Sequence, residues 1–148
     1  MVSLLIAYLS WSGNTKEVAE LIESRLQEAS IDVTMYRIGA GEPIPDVASY
    51  DAFMIGTFTW GKGVNPPQLK KFIAAVGFKP ELVYVFGTGD TQFGGDALFC
   101  AAATKLAAFY HSPLRPLRIE QSPRGHQEQL VIDWTDEVIE HYNQTMIQ

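Results

Sequence analysis

The sequence predicts an α/β fold: one doubly wound, five-stranded parallel sheet in the order 2-1-3-4-5, with helices on both faces. Three observations carry that expectation. Short apolar runs alternate with longer segments of helical period, as repeated strand–helix units require. The chain has 148 residues, which suits one domain spanning 1–148. Stretches rich in glycine and hydroxyl side chains follow three of the strands, and in open sheets of this kind ligands bind beyond the strands' carboxyl ends.

The first strand is read from the apolar run Val2 to Leu9, after which Val18, Leu21, Ile22, Leu26 and Ala29 recur at helical spacing with charges between them. Ile31 to Ile38 alternates apolar with polar and predicts the second strand. Gly39 to Tyr50, rich in Gly and Pro, predicts either a long loop or a brief helical turn. Ala52 to Gly56 gives the third strand, Leu82 to Phe86 the fourth and Leu114 to Ile119 the fifth. Between them, Leu69, Phe72, Ile73 and Val76 mark a helix after Pro66-Pro67, and Leu98, Ala102, Leu106 and Phe109 mark another. Val131, Trp134, Val138 and Tyr142 mark the last helix. Right-handed crossovers then place the helices on both faces of the sheet.

With 47% hydrophobic and 19% charged residues, the composition excludes a disordered chain and a membrane span. Eleven basic against 17 acidic side chains leave a net charge of −6, which works against nucleic-acid binding. Cys100 is the single cysteine, so an intrachain disulfide and a multi-cysteine metal cage are excluded, and a reducing compartment is expected. The first residues carry no basic segment or cleavage pattern, and a cytoplasmic location is expected. His111, His126 and His141 lack ligand spacing and read as surface or packing residues.

Three loops carry the chemistry. Ser10-Trp11-Ser12-Gly13-Asn14-Thr15 stands directly before a helix, whose unpaired N–H groups and dipole attract an anion. It holds neither the lysine nor the glycine spacing of a nucleoside-triphosphate loop, and GxGxxG does not occur. The same residues also suit ordinary capping, with Asn14 and Glu17 as a capping-box variant. Gly56-Thr57-Phe58-Thr59-Trp60-Gly61-Lys62-Gly63 puts an aromatic beyond a strand end, where it can stack on a flat ring. Gly87-Thr88-Gly89-Asp90-Thr91-Gln92-Phe93-Gly94-Gly95-Asp96, again rich in glycine, offers backbone donors and, in Phe93, a second aromatic.

These residues resemble the flavodoxin family. Ser10 to Thr15 is similar to its FMN phosphate loop, Thr57 to Gly61 to its first flavin-flanking loop, and Gly87 to Asp90 to the start of its second. Arg118 to Arg124, with the Trp134 helix behind it, is similar to the last strand and helix of short-chain members, with no room for the long-chain insertion. The resemblance implies FMN as cofactor. It implies that Ser10, Ser12, Asn14 and Thr15 bind the phosphate with side chains, and Trp11 and Gly13 with backbone N–H groups. Thr59 would lie near the ribityl chain or phosphate, with Thr57 and Phe58 leading into that loop. Trp60 would stack on one flavin face, Phe93 would replace the family's usual tyrosine on the other, and the backbone of Thr88, Gly89 and Asp90 would meet the pyrimidine edge. Cys100 either lies near that edge or is a small buried hydrophobe.

The implied function is that of a low-potential one-electron carrier, cycling FMN between semiquinone and hydroquinone, rather than an enzyme with its own substrate. The implied partners are redox proteins such as a flavodoxin/ferredoxin reductase and an electron-accepting enzyme, met by a monomer without nucleic acid or membrane. Glu120, Glu128, Asp133, Asp136, Glu137 and Glu140 could form an acidic docking patch. A different flavodoxin-like role is activation of a class Ib ribonucleotide reductase, to which the glycine-rich Gly61-Lys62-Gly63 and Gly94-Gly95 stretches have some likeness. Gly61 would permit the peptide turn that tunes the flavin. Lys62 stands where the family commonly has an acid, and the span from Phe58 to Lys79 holds Lys62, Lys70, Lys71 and Lys79 with no Asp or Glu. One lysine at about 12 Å and an effective dielectric of about 20 stabilises an anionic hydroquinone by roughly 1.4 kcal/mol, or ~60 mV. Lys62→Glu is therefore expected to lower the second reduction potential in a redox titration; an unchanged or raised potential rejects this role.

Overall fold

The computed structural model describes residues 3–10, 13–59, 66–89, 100–121 and 123–147. Strands β1 (Ser3–Tyr8), β2 (Asp32–Arg37), β3 (Ala52–Phe58), β4 (Val83–Gly89) and β5 (Leu117–Glu120) form one parallel sheet in the order β2-β1-β3-β4-β5, as the sequence predicts. Helix α1 (Asn14–Glu28) follows β1, α2 (Pro67–Val76) precedes β4, α3 (Ala101–Tyr110) precedes β5, and α4 (His126–Ile147) follows it.

The period of two along the strands divides the core in two. Leu4, Ile6 and Tyr8 of β1 point with Met54, Tyr84 and Phe86 toward α1 and α4, against Val18, Ile22, Leu26, Val131, Trp134, Val138 and Tyr142. Leu5, Ala7 and Leu9 point the other way with Phe53, Ile55 and Val85, against Leu69 and Phe72 of α2 and Ala103, Leu106 and Tyr110 of α3. Strands buried on both faces need apolar residues at every position, which is why β1 and β3 read as continuous runs rather than alternations. Polar ties lock the periphery. Trp134 Nε1 donates to the Arg115 carbonyl at 3.0 Å, and Arg25 bridges α1 to Asp136 of α4 through Nε at 2.7 Å. At the sheet's edge the Gln127 side-chain amide pairs with both the N–H and the C=O of Glu120, each at 2.7 Å, and so satisfies the backbone where β5 ends.

Several boundaries differ from the sequence reading. β3 runs on to Phe58 and β4 to Gly89, so Thr57, Phe58, Thr88 and Gly89 are strand residues rather than loop residues. Gly56 and Gly87 suggested strand ends, yet they serve close packing: a Cβ on Gly87 would lie 2.7 Å from Ala103 Cβ. β5 begins at Leu117, since Ser112 Oγ donates to the carbonyls of Val83 and Leu114 and holds 112–114 in a turn. The stretch from Gly39 to Tyr50 contains a 3-10 turn at Val47–Ser49, in agreement with the brief helical turn that is one of the two forms the sequence allows there. Phe109, expected on the buried stripe of its helix, is 42% exposed, and Tyr110 fills that place in the core. Leu98 lies outside the described residues.

Candidate functional site

β1 delivers the chain to Ser10, and α1 begins at Asn14. The expected capping box does not form: Asn14 is the first helical residue, and Gly13 occupies the cap at φ 96°, ψ −10° without a side-chain cap bond. That conformation favours glycine. Ser10 Oγ instead accepts from the Gly13 amide at 3.2 Å and the Lys16 amide at 3.3 Å, leaving its O–H to donate. Among the described residues, no acceptor serves the amides of Asn14 and Thr15. Two open N–H groups at the positive end of a 15-residue helix are the donor set an anionic phosphate requires.

Three strand ends meet beneath this turn. Thr15, 1% exposed, sets its Oγ1 2.9 Å from Thr88 Oγ1 of β4 and 3.5 Å from the Thr57 carbonyl of β3. The sequence marked all three threonines, and the structure brings them together; the hydroxyl of Thr15 faces the strands. Thr59 donates its amide to the Thr88 carbonyl at 3.2 Å, and its Oγ1 accepts from the Ala102 amide at 3.4 Å, tying the start of α3 to the same rim. Phe58 packs against the core beside α2 and α3. Sequence reasoning missed Arg37, whose Nη2 donates to the Ser10 carbonyl at 3.3 Å and brings a cation behind the turn. Its signal was a lone cation ending the strand that pairs with β1, opposite Tyr8.

Cys100 is wholly buried at the foot of α3, its thiol directed at the carbonyls of Gly87 (3.6 Å) and Ile119 (3.7 Å). A Cβ on Gly89 would lie 3.2 Å from its Sγ, so the glycine allows the thiol to pack beneath β4. Burial pushes the thiol up to about 12. Burial likewise pushes Tyr110 up to about 12, and burial with Asp51 nearby does the same to Tyr142. All three values lie above the ordinary 9.0 for the thiol and 10.0 for the phenols, so the stabilisation is complete below those values and is lost as pH rises toward about 12. Denaturant melts are expected to show stability falling between about pH 9 and about pH 12; a flat profile over that range would contradict these burial effects. The same thiol should resist a disulfide reagent at neutral pH until the chain unfolds.

Trp11, Ser12, Trp60, Gly61, Asp90 and Phe93 lie outside the described residues, as does Lys62. Of the expected acidic patch, Asp136 is paired with Arg25 and Glu137 with Arg115, at 2.7 and 3.4 Å, which dilutes its charge. No helix among the described residues is long and apolar enough to cross a membrane.

A doubly wound sheet whose first strand leads into a helix start with open N–H groups, with the ends of the third and fourth strands against it, has the architecture of proteins that hold a phosphorylated ligand at the carboxyl rim of the sheet. The family model described as Flavodoxin matches residues 6–111, and the chain belongs to the flavodoxin family, whose members are electron carriers that bind FMN. It is 32% identical over 142 residues to "Probable flavodoxin 2" of Bacillus subtilis (strain 168), covering 90% of this chain and 92% of that one. It superposes on the crystal structure of oxidised flavodoxin 2 from Bacillus cereus with a TM-score of 0.81 and 28% identity, over 95% of this chain and 99% of the other. The Fusobacterium nucleatum flavodoxin bound to flavin mononucleotide shares the fold, at a TM-score of 0.70 and 16% identity, over 95% and 99% of the two chains.

Proposed function

We propose that this flavodoxin is a low-potential, one-electron carrier that takes electrons from a flavodoxin/ferredoxin-type reductase and hands them to an electron-accepting enzyme, acting as a cytoplasmic monomer. The observation that carries the reading is the pair of open amides on Asn14 and Thr15, held in place by the contact of Thr15 with Thr88. Bound FMN supplies the redox chemistry. The chain supplies position and field. Ser10 Oγ braces Gly13 and Lys16 so that the first turn of α1 keeps its donors directed outward, and Arg37 with the helix dipole favours a dianionic phosphate. Ser12, Asn14 and Thr59 would add polar contacts, and Trp60 and Phe93 would flank the ring. The backbone of Thr88, Gly89 and Asp90 would face its polar edge. Cys100, closed under Gly89, would shape that edge from below without reacting.

Kinship with proteins named flavodoxins supports the carrier over the ribonucleotide reductase activator. Stepwise reductive titration of the purified, FMN-loaded protein tests the reading. Two resolved one-electron steps are expected, the second well below the potential of free FMN. A single two-electron step at the potential of free FMN overturns it.

A further inference from the structure

The helix layers on the two sides of the sheet differ in charge. On one face, α1 and α4 together hold nine carboxylates, with Lys16 and Arg25 as their only lysine and arginine. On the other, α2 and α3 hold Lys70, Lys71 and Lys105 and not one carboxylate. The cations differ in state as well as number. Arg25, Arg115 and Arg124 lie within 4.0 Å of carboxylates, whereas among the described residues Lys70 and Lys105 have no such partner.

Between α2 and α3 runs a groove of about 370 Å³, lined by Ile73, Ala74, Leu106 and Phe109 and flanked by Lys70 and Lys105. Its walls are set before anything binds. Phe109 stands edge-on to Tyr110, with ring centroids 4.9 Å apart at 83°, and Lys79 Nζ sits 4.0 Å from the centroid of the Phe109 ring. The exposed aromatic is thus held between a core tyrosine and a third cation. An apolar slot with an unpaired cationic rim complements a segment that projects an apolar side chain between carboxylates; burial of the apolar group supplies affinity, and the charges supply selection and approach rate.

We infer that this groove docks an acidic partner protein, which seats an apolar side chain against Ile73, Leu106 and Phe109 and sets its carboxylates on Lys70 and Lys105. The inference deepens the electron-carrier reading by naming the charge class of one partner, and it rests on that reading for the partner being a redox protein. A basic partner would choose the opposite face.

The test uses the isotope-labelled, flavin-loaded protein and a synthetic peptide with glutamates around a central phenylalanine. Two control peptides carry lysine for each glutamate, or alanine for the phenylalanine. Backbone amide shifts are expected along 70–74 and 105–109, with binding weakening as salt rises. The double variant Lys70→Glu/Lys105→Glu should weaken binding by about tenfold or more, and Phe109→Ala should weaken it while the salt dependence persists. Shifts confined to α1 or α4, equal binding of the lysine peptide, failure of the acidic peptide to bind, or indifference to the double variant would each overturn the proposal. So would wild-type self-association that the double variant abolishes, since the groove would then belong to a second copy. The flavin spectrum and stepwise reduction, followed on the same samples, separate this failure from failure of the carrier reading.

Discussion

Gly56→Ala is expected to destabilise the protein by about 3 kcal/mol, the upper part of the usual range for overpacking. Gly56 lies in β3 beside Phe86 of β4, its register partner. A Cβ there would overlap Cζ and Cε2 of the Phe86 ring and lie 2.8 Å from Cε1. The ring has nowhere to go, because Phe86 is 0% exposed and packs within the cluster that joins the sheet to α1 and α4. For a chain of this length such a loss lowers the melting temperature by roughly 6–12 °C. Phe86→Leu removes the three overlapping ring atoms, so the double variant should recover about 1 kcal/mol or more relative to the sum of the single changes. Urea melts of the four proteins decide the matter. A Gly56→Ala variant within about 0.5 kcal/mol of wild type would show that the sheet adjusts freely here.

Gly13→Val should weaken FMN binding by roughly fivefold to thirtyfold. Among the described residues no atom lies within 4 Å of a Cβ placed at Gly13; its φ of 96° is what disfavours one. Placing a Cβ at positive φ costs about 1–2 kcal/mol, which corresponds to that change in affinity if the turn relaxes when no flavin holds it. Relaxation would turn the Asn14 and Thr15 amides away from the phosphate and release the contact of the Gly13 amide with Ser10 Oγ. Titration of flavin-free protein with FMN, read by loss of flavin fluorescence, measures the effect. Riboflavin lacks the phosphate, so its affinity should barely change. Equal losses for both ligands would mean that the substitution damages the whole site rather than the anion turn.

Strand order and the two-faced core were legible because they depend on pattern. Val2 to Leu9 reads as a run because β1 is buried on both faces, and Val18, Ile22 and Leu26 read as a stripe because α1 is buried on one. Strand ends were less legible. Glycine marks both a turn and a close approach, and Gly56 and Gly87 belong to the second kind, which depends on Phe86 and Ala103 from other elements. Asn14 with Glu17 matched a capping pattern, but Ser10, brought back by the turn, already occupies the amides of Gly13 and Lys16. Phe109 matched a helical stripe, but the core on that side is filled by Tyr110.

The sequence by itself determined the sheet order, the two helix layers and the family to which these belong. These follow from short-range periodicity and loop composition, which survive in a one-dimensional string. Only the tertiary structure decided that Thr15 meets Thr88, that Arg37 stands behind Ser10, and that the lysines of α2 and α3 flank one apolar groove. Each of those joins residues far apart in the chain, and packing across the sheet, rather than any local preference, sets which of them meet.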